Sequence, residues 1–152
     1  MKRIHYIAII VILTLVLGIF LLSPYSPLNK STIDGKAVKL PTGYTVQKSS
    51  DNTLTIGNGT HKIYIISQDT NNVNAAIKKY ENKYNKTYNI TIQNLTLDNG
   101  KKVIKTTAKE INGTHTALRY WFKKDKNVVN IKTAYTDSAT ENNIKSIISS
   151  MN

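Results

Sequence analysis

The stretch HTALRYWFKKDKNVVNIKTAY, His115–Tyr135, decides the fold. Two alternating runs flank Lys124–Asn127. In the first, Leu118, Tyr120 and Phe122 alternate with Arg119, Trp121 and Lys123. In the second, Val129, Ile131 and Tyr135 (with Thr133) alternate with Asn130 and Lys132. A period of two sends successive side chains to opposite faces of a strand. The pair reads as an antiparallel hairpin with one face buried and the other mostly wet.

Working upstream, the same signals recur. Lys102–Ala108 reads as a strand between the turns Asp98-Asn99-Gly100 and Asn112-Gly113. Tyr88–Leu97 alternates as Tyr88, Ile90, Ile92, then changes phase to Leu95 and Leu97, which predicts a bulge or break at Gln93-Asn94. Asn72–Lys86 changes period: Val73, Ala76, Ile77, Tyr80 and Tyr84 form one stripe of an amphipathic helix. A row of tyrosines at that spacing is a core stripe before it is a ligand site. Leu54–Ile56 and Lys62–Ser67 flank Gly57-Asn58-Gly59, a tight turn. Lys62–Ser67 is apolar on both faces, as a central strand covered on two sides would be. Ala37–Leu40 and Tyr44–Gln47 are shorter extended pieces around Pro41-Thr42-Gly43.

Downstream, Ser138–Met151 is a helix with the buried stripe Ile144, Ile147, Ile148 and Met151. Ser138-Ala-Thr-Glu141 fits a capping box. The expected class is α+β: one antiparallel sheet packed with two or more helices.

At the other end, Ile4–Leu22 is uncharged and follows Lys2-Arg3. Nineteen residues of helix reach roughly 28 Å, about the thickness of a bilayer's hydrocarbon core. Only His5, Thr14 and Gly18 interrupt the run, too few polar positions for a buried soluble helix. A cleavable signal has a shorter apolar core and small residues at its cut. Here a cut after Ser23 has Leu21 before it and Pro24 behind it, and a cut after Ser26 meets Pro27. The run reads as an uncleaved signal anchor in the bilayer. The two leading charges keep the N-terminus in the cytoplasm and the remainder outside the membrane. The expected organisation is a cytoplasmic tip and anchor over 1–22, a Pro- and Ser-rich stalk over 23–36, and an extracytoplasmic domain over 37–152.

The chain of 152 residues carries a net charge of +12 and no cysteine. Disulfides, thiol catalysis and thiolate metal sites are thereby excluded. A basic ectodomain suits anionic lipid headgroups or acidic envelope polymers, and its expected location puts nucleic acid last. The plainer account is solubility, since no run exceeds two consecutive basic residues. Six Asn-x-Ser/Thr sequons occur, at Asn29, Asn58, Asn85, Asn89, Asn94 and Asn112, roughly twice the number chance would give. They are N-glycosylation acceptors in an exported chain, or a compositional taste for Asn and Thr.

No catalytic constellation stands out. The sequence lacks a Gly-rich phosphate loop, a Gly-x-Ser-x-Gly elbow and a His-Glu-x-x-His motif, and calls for no cofactor. His61 and His115 each follow Asn-Gly-Thr at a strand start, but two histidines fall short of the three or four ligands of a zinc site. The carboxylates fall mainly in turns and on wet helix faces. What remains is Arg119, Trp121, Lys123 and Lys124. If Leu118, Tyr120 and Phe122 face the core, Trp121 stands outward beside basic residues and would stack on a sugar or grip an anion. The alternative is that a helix or the stalk covers it, as large aromatics are usually buried.

The segments KLPTGYTV (Lys39–Val46), NGTHKIYIIS (Asn58–Ser67), RYWFKKDKNVVNIKT (Arg119–Thr133) and NNIKSIISSM (Asn142–Met151) resemble the small membrane-anchored, PsbP-related proteins of methanogenic archaea. The resemblance implies a PsbP-like antiparallel sheet between helices and no enzymatic residues. Three functional readings follow. The first is a tethered, non-catalytic binding or accessory module docking on an envelope protein or anionic surface polymer. The second is a small metal-dependent enzyme using His61 and His115. The third is a purely structural, glycosylated surface domain.

Overall fold

The computed structural model describes residues 31–151. The Ile4–Leu22 run and Asn29 lie outside them. Among the described residues no helix is long and apolar enough to cross a membrane.

The domain is α+β. A small ribbon, β1 (Thr32–Ile33) and β2 (Lys36–Ala37), precedes a seven-stranded antiparallel sheet. Its strands are β3 (Thr45–Ser50), β4 (Thr53–Gly57), β5 (Lys62–Gln68), β6 (Tyr88–Thr96), β7 (Lys102–Glu110), β8 (Thr116–Lys124) and β9 (Asn127–Thr133), in the spatial order β3-β4-β5-β9-β8-β7-β6. Helix α1 (Val73–Tyr84) follows β5, and α2 (Ser138–Ser150) closes the chain.

The β8–β9 hairpin supplies the centre. Tyr120 pairs with Ile131 and Phe122 with Val129, and β9 continues the ladder to β5 through Ile131 and Ile65. These residues share one face with Leu54, Ile56, Ile63 and Leu118, all buried beneath Ile144, Ile147 and Ile148 of α2 and Met151 at its C-cap. Full burial of one such aliphatic side chain stabilises by about 1.5–3 kcal/mol, so this layer dominates the fold. The opposite face carries a smaller cluster: Ile77 and Tyr80 of α1 over Ala108, Trp121 and Val128. Both helical stripes thus face the sheet as their periodicity requires.

Three expectations are corrected. Residues 31–36 are not stalk. Asp34 and Gly35 take positive φ (52° and 73°), the geometry of an Asp-Gly hairpin turn, and Ile33 is completely buried in the main core. The Asp34 carboxylate accepts from Ser67 Oγ (2.5 Å) and Asn127 Nδ2 (3.1 Å), pinning the ribbon to the sheet. The folded domain therefore begins ahead of Ala37.

Strand β6 has no break. Its pairing with β7 runs without a slip from Tyr88–Glu110 to Thr96–Lys102. The phase change arises because Ile90 packs toward α1 while Leu95 packs into the main core on the other face. One strand serves two cores.

Finally, Ser138 does not cap α2. The N-cap is Asp137, whose side chain accepts from Thr140 N (2.8 Å) and Thr140 Oγ1 (2.7 Å). Glu141 is thereby released to reach across to the sheet. At the other end of α2, Lys101 Nζ donates to the carbonyls of Ile148 (3.3 Å) and Met151 (2.5 Å), where a cation suits the helix dipole.

Candidate functional site

The alternation along β8 carries Arg119 and Trp121 to the face that α1 covers, opposite Lys132 and Asn130 of β9. Helix α1 starts at Asn72, whose side chain accepts from Ala75 N, and lays Ile77, Tyr80 and Tyr84 over them. Trp121 is only 2% exposed. Its indole nitrogen donates to Thr106 Oγ1 (3.0 Å), and its ring centroid lies 5.6 Å from that of Tyr80. Of the two readings of Trp121, the covered one holds: the helix lies over it, and it forms a floor.

Arg119 is half-buried at the edge of this floor. Its guanidinium carbon lies 4.5 Å from the Tyr80 ring centroid and 5.7 Å from that of Trp121. Its guanidinium donates to a neutral acceptor, Asn130 Oδ1 at 3.1 Å, and Asn130 is anchored to the Ile66 carbonyl (3.4 Å). Among the described residues no carboxylate pairs with Arg119. Lys132, its neighbour across the strands, has its Nζ 4.7 Å from the Tyr64 centroid; burial and the Arg119 charge hold its pKa below the usual lysine range. Burial raises the Tyr80 hydroxyl above the ordinary tyrosine range, although Arg119 opposes it.

Beside this group lies a cavity of about 550 Å³ between α1 and the sheet. Arg119, Tyr80, Tyr84, Lys79, Lys83 and Gln68 line it, with Asp69 also on its wall. The cleft combines aromatic surface with three cations, a chemistry suited to a flat ligand bearing an anionic group.

The four basic and aromatic residues singled out on β8 do not act together. Arg119 and Trp121 meet at the cleft. Lys123 is exposed farther along the same face and borders a separate hollow with Val73. Lys124 turns to the opposite face, is 6% exposed and lies 3.9 Å from Asp125. Lys79, Lys83 and Asn130 complete the site and were not singled out in sequence. Their signal was faint: Lys79 and Lys83 precede Tyr80 and Tyr84 at a spacing of one helical turn.

The histidines have separate partners. His61 Nδ1 lies 3.2 Å from Thr140 Oγ1 and its ring packs on Tyr135 at 4.1 Å, whereas His115, 81% exposed, meets only Glu110 (3.3 Å). Among the described residues no three His, Asp or Glu side chains gather as metal ligands. Asn58, Asn85, Asn89, Asn94 and Asn112 are all exposed. Neither a protein-family model nor a curated protein matches the chain.

Proposed function

We propose that this chain is a membrane-tethered, extracytoplasmic, non-catalytic binding module with a PsbP-like domain, and that its cleft between α1 and β8 takes an anionic group of a cell-surface polymer. The observation that carries the reading is Arg119: a guanidinium held between aromatic rings, beside a cavity, bonded to an amide rather than a carboxylate. A second cation, Lys132, stands opposite Arg119 across the strands, its pKa lowered by burial first and by the Arg119 charge second, and adds to the positive field of this face. The apolar Ile4–Leu22 run behind Lys2-Arg3 supports the tether and its sidedness. The succession of strands and the closing helix support the PsbP-like assignment. The separate engagements of His61 and His115 favour a binding role over metal-dependent hydrolysis.

The test titrates the full chain in detergent with an oligo-uronate and with a neutral oligosaccharide of equal length. The uronate binds, more weakly as salt rises, and the neutral sugar does not. Arg119→Ala weakens binding by about tenfold or more, the loss of a charge-assisted contact. Asn130→Asp, which hands Arg119 an internal carboxylate, does the same while the fold persists. Equal binding by the parent and both variants would overturn the assignment.

A further inference from the structure

The two edges of the main sheet differ. Strand β3 is short, carries Lys48 and is bulged between Val46 and Lys48, devices that discourage further strand pairing. Strand β6 has none of them. Its nine residues, YNITIQNLT, contain no charge and no proline, and it pairs with β7 without a bulge. Ile92, its middle residue, is 48% exposed, one of two large apolar side chains so placed among the described residues. No described strand lies on the outer side of β6. A long, uncharged, regular edge is a template for another strand.

The sequons gather on this same edge. Asn89 and Asn94 lie within β6, on opposite faces of the strand, and both are exposed. Asn85 caps the C-terminus of α1 just before it. Asn112 lies in the β7–β8 turn beside Ile111, whose amide donates to the Thr87 carbonyl at the start of β6. Of the five described sequons only Asn58 is elsewhere, in the β4–β5 turn.

We propose that Asn89 and Asn94 carry N-linked glycans that guard the β6 edge, and that the bare edge pairs antiparallel with β6 of a second copy. The inference rests on the extracytoplasmic placement above, since the acceptor must meet a glycosyl donor there. In the modification, Asn Nδ2 attacks the anomeric carbon of a lipid-phosphate-linked oligosaccharide. The N–C bond forms, the C–O bond to the carrier phosphate breaks, the amide nitrogen loses one proton, and the carrier leaves as free lipid phosphate. A glycan is far broader than the roughly 4.8 Å between paired strands, so one on each face crowds out a neighbour.

The self-pairing has a definite register. Full overlap of Tyr88–Thr96 with its own copy centres on Ile92, which then faces the same residue of the second copy and loses its exposure. Ile90 falls opposite Asn94, and Leu95 opposite Asn89. Each copy's sequons thus lie inside the contact they would block.

The chain has no cysteine, so Ile92→Cys gives a clean reporter: a residue facing itself across a two-fold axis is close enough to form a disulfide. The full chain, in detergent, is prepared from a host that glycosylates exported sequons and from one lacking the transferase. The expected bare chain is a dimer that cross-links through Ile92→Cys but not through Lys109→Cys on β7, and Ile92→Lys returns it to monomer. The glycosylated chain carries sugar on Asn89 and Asn94 by peptide mass, stays monomeric and does not cross-link. The double variant Asn89→Gln, Asn94→Gln from the same host cross-links again. A bare chain that never cross-links through position 92 overturns the self-pairing. Glycans on Asn58 or Asn112 but none on Asn89 and Asn94 overturn the guard and leave the outward placement standing. A chain with no glycan on any sequon removes both.

Discussion

The Glu141 carboxylate of α2 accepts the Tyr120 hydroxyl of β8 at 2.5 Å, and the same group receives Lys105 Nζ of β7 at 2.7 Å. One side chain, released from the helix cap by Asp137, ties the closing helix to two strands. Burial and the bond to Glu141 push the Tyr120 hydroxyl far up, so it remains a donor throughout the working range.

This tie makes stability pH-dependent. Burial works to raise the Glu141 pKa, but the bonds from Lys105 and Tyr120 and the charges of Lys105 and Lys145 outweigh it, leaving the carboxyl below the usual glutamate range. A depressed folded pKa contributes stability above the unfolded value, lost as pH falls through the folded one. The melting temperature is expected to hold down to ordinary glutamate pH and decline below it. Glu141→Gln flattens that decline and costs about 1 kcal/mol at neutral pH, as charge-assisted bonds become neutral ones. Thermal melts of both proteins across a pH series check this; parallel curves would refute it.

The ribbon at the start of the domain is expected to matter as much as a core strand. Ile33→Ala should cost about 2–5 kcal/mol, the range for deleting a buried aliphatic side chain. A fragment starting at residue 37 should have a lower urea midpoint than one starting at residue 31. Equal midpoints would restore these residues to the stalk.

Trp121 is the only tryptophan and reports on the α1 face directly. Its fluorescence is expected to be blue-shifted and resistant to acrylamide, and Tyr80→Ala should make it quenchable. Trp121→Phe leaves Thr106 Oγ1 without its indole donor and lowers stability by about 1–3 kcal/mol. Strong quenching in the parent chain would mean that the helix does not cover the ring.

The layout of strands and helices was legible because period and turn chemistry agree almost everywhere. The β8–β9 hairpin, the Gly57–Gly59 turn and both helical stripes follow from spacing alone. The misreadings share a cause: a local rule met a partner distant in sequence. Asp34-Gly35 carried a hairpin signal, but its short flanks looked like linker until Ser67 and Asn127 were brought to it. Glu141 matched a capping box, yet Lys105 and Tyr120 compete better for its carboxylate. Leu95 broke the alternation of β6 because α2 offers a second core to the same strand. The cleft was half visible. Arg119 and Trp121 stand out on β8, but the helix that meets them lies in a segment whose tyrosines read only as core.

The two faces of the sheet are held unequally, and this gives the molecule a soft side. Helix α2 rests on the larger, mainly aliphatic layer, whereas α1 rests on a smaller cluster of Ala108, Trp121 and Val128 with one guanidinium beside it. Lifting α1 leaves the larger layer intact, so the amides of Val73–Tyr84 should exchange with deuterium through a sub-global opening while those of β5 and β9 wait for complete unfolding. Arg119 and Trp121 would then meet water in that opening while the larger layer stays dry.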